Sequence, residues 1–423
     1  VVPLAAPRAA PAAAPLAAPA AANLAAADEG WYGQRSAPAR RGARDVRRAG
    51  RRTVVVIPER LENGRMSPCA FIRLLLPLDH PDIGGDVDVI VADAAEALDY
   101  RPDLIATQRH AVPTTAAAET LRAHCDAHGI PLLYDLDDDL LNIPKDHPEA
   151  DALRPRARIV AAMLRAADAV WTSTETLRAS LASVRADAEV VVNGLDERLW
   201  GAAPRPVPSG PVRTGPTRIL LMGTATHRGD FAIVAPALRR LVETFGPRVS
   251  VDVIGMTGAE LPPGVNRVGV PHDRGQTYPG FVSWIASQPA WHIGATPLAN
   301  TAFNACKSSI KTLDYAALGL AVAASDVGVY RGSPAAGGGG ALVPNTPGDW
   351  YAALSRLVRD PALVWRMAEA ARAALADATL AAQAAQRRHA WNRLLGPQAA
   401  APPAEHAPPE QASAELRRSR ARA

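Results

Sequence analysis

The 423 residues, 48% of them hydrophobic, suffice for two domains with separate cores, yet no run of about 18 to 20 apolar residues suited to a membrane span occurs. The formal charge of +4 is concentrated in Arg40, Arg41, Arg44, Arg47, Arg48, Arg51 and Arg52. That cluster lacks interleaved aromatics, which argues against nucleic acid and fits weak association with an anionic membrane surface. Cys69, Cys125 and Cys306 match no zinc or iron–sulfur spacing and fit a reducing compartment, so a cytoplasmic location is expected.

Residues 1–52 read as a leader. The first 30 positions hold 15 Ala and 5 Pro, with a proline every four residues up to Pro19, a spacing that prevents a stable helix and predicts disorder. The start lacks a basic region followed by a compact apolar core, so no signal peptide is expected. From residue 53, short apolar runs alternate with helical patterns. Strands are expected at 53–57, 86–91, 104–107, 130–134, 169–172 and 189–192, and helices at 69–76, 115–128 and 150–167. Ser173 or Thr174 suits the cap of a helix beginning at Glu175. This alternation predicts an α/β domain over 53–200 around a parallel sheet.

The stretch 201–217, rich in Pro and Gly, reads as an interdomain linker. A second α/β domain is expected over 218–380, with strands at 218–222, 249–254, 320–325 and 341–343, and with 291–295 leading towards the stretch that begins at Asn304. Its helices are expected at 230–245, 278–287 and 347–359, with another starting near Ser308. A long helix at 361–393 is expected to cross back so that 381–397 rests on the first domain, and 398–423 reads as a disordered tail.

In open parallel sheets the loops after the strand carboxyl ends form the ligand crevice, and polar groups collect there. On a helix starting near Ser308, Lys307, Lys311 and Asp314 share one side. Unpaired amides and the positive end of the helix dipole at that helix start suit a phosphate or diphosphate, although ordinary solvated lysines give the same pattern. The run Asp135-Leu-Asp-Asp-Asp139 could converge carboxylates on Mg2+, cap the next segment or bind sugar hydroxyls. Gly223-Thr-Ala-Thr-His-Arg-Gly-Asp230 follows a strand and precedes a helix. Small residues there let backbone approach a phosphate and Arg228 adds a cation, or the stretch is a tight turn capped near Asp230. It contains neither GxGxxG nor GxxxxGK[ST]. Gln108, Arg109 and His110 sit at a strand end where an anion clamp and a polar contact are expected. Asn193-Gly194 is a turn signature near the domain boundary. No GxSxG occurs, which disfavours acyl transfer.

On these motifs the chain, from about Thr53 to Arg393, resembles bacterial retaining glycosyltransferases of the GT-B, group 4 type. Val190-Val-Val-Asn-Gly-Leu-Asp196, residues 219–230, and Pro297-Leu298 followed by 307–325 carry the likeness. The resemblance implies two Rossmann-like domains facing each other across a cleft, with a nucleoside-diphosphate sugar as donor. It further implies a glycan or lipid-linked glycan acceptor and no required cofactor or essential Mg2+. Matched residue by residue, Asp314 falls on the glutamate that binds ribose, Ser309 and Ile310 fall where amides meet the diphosphate, and Cys306 falls on the glutamate that usually contacts the donor sugar. Thr224 occupies the diphosphate-loop arginine position and Arg228 lies one residue short of its lysine. Gly223, Thr226, His227 and Ser308 complete the expected donor contacts, and Lys307, Lys311 and Arg228 are the expected cations. The spacing of Phe303-Asn304, Lys307-Ser308 and Lys311, with Tyr134-Asp-Leu-Asp-Asp-Asp139 and Ile143-Pro144, is similar to a subgroup of surface-polysaccharide or O-antigen assembly. By position, Asp135, Asp137, Asp138 and His110 become candidates for acceptor or donor-sugar contacts. A GT-B epimerase or phosphorylase, and a degenerate sugar-nucleotide sensor or scaffold partner, share this frame.

Overall fold

The computed structural model describes residues 44–45, 50–201, 215–256 and 258–396. The expected disorder of the leader and tail, most of the linker, and most of the arginine cluster lie outside the described residues.

The first sheet is built from β1 (Arg52–Ile57), β2 (Val87–Val91), β3 (Leu104–Gln108), β4 (Leu132–Leu136), β5 (Ala169–Thr172) and β6 (Glu189–Val190). These six strands are parallel, in the order β2-β1-β3-β4-β5-β6. The second holds β7 (Thr217–Gly223), β8 (Val249–Gly255), β9 (Val265–Val268), β10 (Ile293–Thr296), β11 (Ala321–Ser325) and β12 (Gly340–Val343). It is also six-stranded and parallel, in the order β9-β8-β7-β10-β11-β12. Central strands such as Val54-Val-Val-Ile57 are buried on both faces, as a helix-covered parallel sheet requires. In both sheets the order reverses beside the first strand, between β1 and β3 and between β7 and β10. Those switch points open crevices at the strand carboxyl ends.

Several boundaries differ from the sequence pattern for local reasons. β4 starts two residues later than the apolar run because Ile130 N–H is spent on Cys125 O at 2.9 Å, closing helix Thr115–His128 behind Gly129, whose φ is 62°. At its other end the strand runs on past Tyr134, and Asp135 lies inside it, paired with Gln108 and Trp171. The helix expected over 150–167 breaks at Arg154–Arg156, where Pro155 interrupts it. Edge strand β9 was not expected, since Val265-Asn-Arg-Val268 exposes its two central residues and shows no apolar run. The helix expected over 361–393 is two helices, Pro361–Ala373 and Ala384–Leu395. Between them Leu195 N–H donates to Ala378 O at 2.9 Å and Leu380 N–H to Leu195 O at 2.8 Å, so tertiary pairing with the domain boundary overrides helix propensity. The second of these helices lies on the first domain, with Trp391 edge-on to Trp171 at 4.6 Å.

Candidate functional site

In the second domain β7 ends at a close backbone crossing. Gly255 has φ +68°, and a Cβ there would lie 2.1 Å from Gly223 O, so only glycine fits. Beyond it Thr224 and Thr226 share a hydroxyl contact of 2.7 Å. His227 Nδ1 lies 2.8 Å from Asp230 Oδ2, and Asp230 Oδ1 accepts from Ala299 N–H at 2.8 Å. The Lys311 charge, with burial, lowers His227 to about 4. At neutral pH its Nδ1–H therefore faces Asp230 and its Nε2 carries a lone pair. Arg228, exposed at the helix start, has no hydrogen bond or ion pair among the described residues, and its Nη1 extends towards Gly258.

Helix Ile310–Ala317 presents its amino end to the same crevice. Ser309 caps it without a side-chain hydrogen bond. The N–H groups of Ser308, Ser309 and Ile310 have no acceptor among the described residues, which leaves the anion-binding end of the helix dipole open. On the first turn, Lys311 is half-buried and forms no ion pair or hydrogen bond among the described residues. Burial, reinforced by Lys307, lowers it to about 8. Asp314 Oδ1 is buried without a partner, and burial raises this carboxyl to about 7, with Lys311 opposing. Tyr315 fixes the helix to the sheet: its hydroxyl meets Met222 N at 3.0 Å and Ala295 O at 3.2 Å.

The first-domain wall is acidic but mostly satisfied. Asp135, 1% exposed, is gripped by Arg73, with Nη2 2.6 Å from Oδ1 and Nε 3.0 Å from Oδ2. Arg109, at φ 43°, ties Glu59 at 2.8 Å, Asp138 at 2.9 Å and also Asp137. It thus holds the acid cluster together across the switch point, where the sequence suggested an anion clamp. Asp139 accepts from Ser180 and from Asn142. Among the described residues no group of three or more His, Cys, Asp or Glu side chains is placed to hold a metal ion. His110 is buried, both ring nitrogens lack partners, and burial with the charges of Arg156 and Arg109 lowers it to about 3. A cavity of about 400 Å3 lined in part by Asp168, Asp187, Glu189 and Arg393 lies at the amino ends of β5 and β6, away from these groups.

No model of a protein family matches the sequence, nor does any curated protein. Solved structures do. HepE from Anabaena in complex with UDP-glucose superposes with a TM-score of 0.55 at 14% identity, over 81% of this chain and 100% of that one. Sucrose-phosphate synthase from Thermosynechococcus elongatus gives 0.53 at 18% identity over 71% and 75%. An α-glucosyltransferase in complex with UDP and a 13-mer DNA gives 0.54 at 12% identity over 82% and 100%.

The fold is GT-B.

Across the GT-B cleft, residues of both domains meet at 303–308. Lys307 Nζ lies 2.8 Å from Asp138 Oδ1. Burial alone would raise Asp138, but Lys307 and then Arg109 hold its carboxyl far below the usual range. Thr174 Oγ1 donates to Cys306 O at 2.8 Å, and Asn193 Nδ2 donates to Ser308 Oγ at 2.8 Å. Phe303 and Cys306 enter the first domain's core beside Leu136, Leu140, Ile143 and Leu177. Of the groups singled out from sequence, His227, Lys307, Lys311 and Asp314 form one electrostatic neighbourhood, with Ser308, Ser309 and Ile310 at its helix end. Lys307 is already committed to Asp138, and Asp135 is withdrawn behind Arg73. The sequence reading gave no role to Arg73, whose signal was a lone arginine in the apolar run Phe71-Ile-Arg-Leu-Leu-Leu76; such a cation is buried only with a partner.

Proposed function

We propose that the chain is a retaining glycosyltransferase. It would move a sugar from a nucleoside-diphosphate donor to a hydroxyl of a glycan or lipid-linked glycan, in surface-polysaccharide assembly at the cytoplasmic face of the membrane. The observation that carries this reading is the charge arrangement at helix Ile310–Ala317. An ammonium lowered to about 8 stands beside three unpaired amides, with the unpartnered oxygen of Asp314 one turn behind. Cation and amides suit a diphosphate; the carboxylate suits ribose hydroxyls. The UDP and UDP-glucose bound by similarly folded proteins support the same assignment.

In this scheme the bond from the sugar's anomeric carbon to the diphosphate breaks while the acceptor oxygen bonds to the same face of that carbon, and the acceptor proton passes to the departing phosphate oxygen. Lys311, Arg228 and the helix amides stabilise charge growing on the diphosphate. Gly223, Thr224, Thr226 and His227 line its loop, and closure of the cleft excludes water. Asp137, whose carboxylate meets Arg109, and the neutral His110 remain for sugar hydroxyls; Asp138 would act through Lys307. The scheme does not require Mg2+.

The test is calorimetric binding of UDP, GDP, ADP, CDP and dTDP, with and without Mg2+, to wild type, Lys311→Ala and Asp314→Ala. One nucleotide bound by wild type and lost in both variants supports the donor site. A folded wild type that binds none removes the proposal. A binding-only role is the second reading, favoured by Cys306 facing the first domain and Lys307 being paired with Asp138. Transfer or hydrolysis of the matching sugar nucleotide would eliminate it, and interconversion of the donor sugar would point to an epimerase instead.

A further inference from the structure

Asn193 and Ser308 lie in different domains, and their contact has a direction. Arg73 can only donate. Its Nη1 lies 2.8 Å from Asn193 Oδ1, and it also donates to Val191 O. Asp135 holds the same guanidinium through its other nitrogens, with both side chains 1% exposed. This buried cation fixes the Asn193 amide with oxygen towards Arg73, leaving Nδ2 as the donor to Ser308 Oγ at 2.8 Å. Having accepted that bond, the Ser308 hydroxyl has its own hydrogen left to give. It makes no other hydrogen bond among the described residues, and it sits beside the unpaired amides of Ser309 and Ile310.

The segment bearing Asn193 cannot easily rotate away. Gln383 Nε2 reaches Asn193 O at 3.4 Å and Arg387 donates to Val192 O. A Cβ on Gly194 would lie 2.7 Å from Gln383 Oε1.

We propose that Asn193 is a positioning residue for the donor site: with Arg73 and Asp135 behind it, it sets the Ser308 hydroxyl as a donor to a phosphate oxygen of the bound nucleoside diphosphate. This rests on the donor-site assignment above and deepens it. The relay runs one way. Asp135 accepts from Arg73, Arg73 donates to Asn193, Asn193 donates to Ser308, and Ser308 donates to the ligand. The sequence of the first domain therefore reaches the diphosphate through a neutral amide rather than a charge. A carboxylate at 193 would reverse the last links, because it would accept the Ser308 proton and place negative charge beside the phosphates.

The near-isosteric Asn193→Asp separates this from a structural role, since a carboxylate keeps the bond to Arg73 and should leave the melting temperature at or above wild type. UDP, or whichever nucleoside diphosphate wild type binds, should bind Asn193→Asp about ten- to a hundred-fold more weakly. Ser308→Ala should bind about tenfold more weakly, and Asn193→Asp should cost less in a Ser308→Ala background than in wild type, since only the charge repulsion then remains. Asn193→Asp and Ser308→Ala proteins that fold and bind the nucleotide like wild type, while Lys311→Ala loses it, would overturn the relay and leave the donor site standing. Wild type binding no nucleotide would bring down the donor site and the relay with it.

Discussion

Lys311 should limit nucleotide binding at alkaline pH, and removing it should make the protein more stable. Its ammonium is lowered from 10.5 to about 8, chiefly by burial. A diphosphate favours the charged form, so above about pH 8 binding must take up a proton, and affinity should fall by up to about tenfold per pH unit. Below that value affinity should be level with respect to this group. The unfolded chain binds the proton more tightly than the folded one, so folding at neutral pH bears a penalty that disappears as pH rises through the window from about 8 to the unfolded value. The shift corresponds to ~3 kcal/mol, and partial exposure reduces it by roughly half. Lys311→Met should thus stabilise the protein by about 1–2 kcal/mol at neutral pH, with Asp314 then protonated, while abolishing measurable nucleotide binding. Titration calorimetry from about pH 6.5 to 9.5 in two buffers of different ionisation enthalpy counts the protons, and urea denaturation reads stability. A wild-type affinity flat across that range, with no proton uptake, would refute the reasoning.

Arg73→Met leaves the Asp135 carboxylate buried without its partner and should cost about 3–5 kcal/mol in urea denaturation, most of it recovered by adding Asp135→Leu. In Gly294→Ala the new Cβ would lie 2.3 Å from the Tyr315 ring. It should cost about 2 kcal/mol and weaken nucleotide binding by displacing helix Ile310–Ala317; unchanged affinity would show that Tyr315 does not set the helix. Phe303→Ala removes a ring shared between domains and should cost about 3 kcal/mol. Scanning calorimetry should then resolve two transitions where wild type shows one.

The fold was legible because its signals are local. Apolar runs such as Val54-Val-Val-Ile57 have no plausible place outside a doubly covered sheet, and Pro or Gly marks many element ends. The candidate donor side was legible for the same reason, since Ser308 to Asp314 are neighbours at one helix start. The first-domain side was not. Asp135 and Asp138 are three residues apart in sequence and both acidic, yet one is spent on Arg73, 62 positions earlier, and the other on Lys307, 169 positions later. Which carboxylate faces a ligand depends on those distant partners, and on a strand that runs on to Leu136.

Phe303 and Cys306 have a consequence for any attempt to alter the sugar preference that the proposed function implies. The side chain at 306 packs beside Leu136 and approaches Asp139 Oδ2 at 3.9 Å, and burial pushes its thiol to about 11. Changing Cys306 to glutamate would press a second carboxylate against Asp139 inside the domain junction. At this position the chain forms part of the seam between its halves.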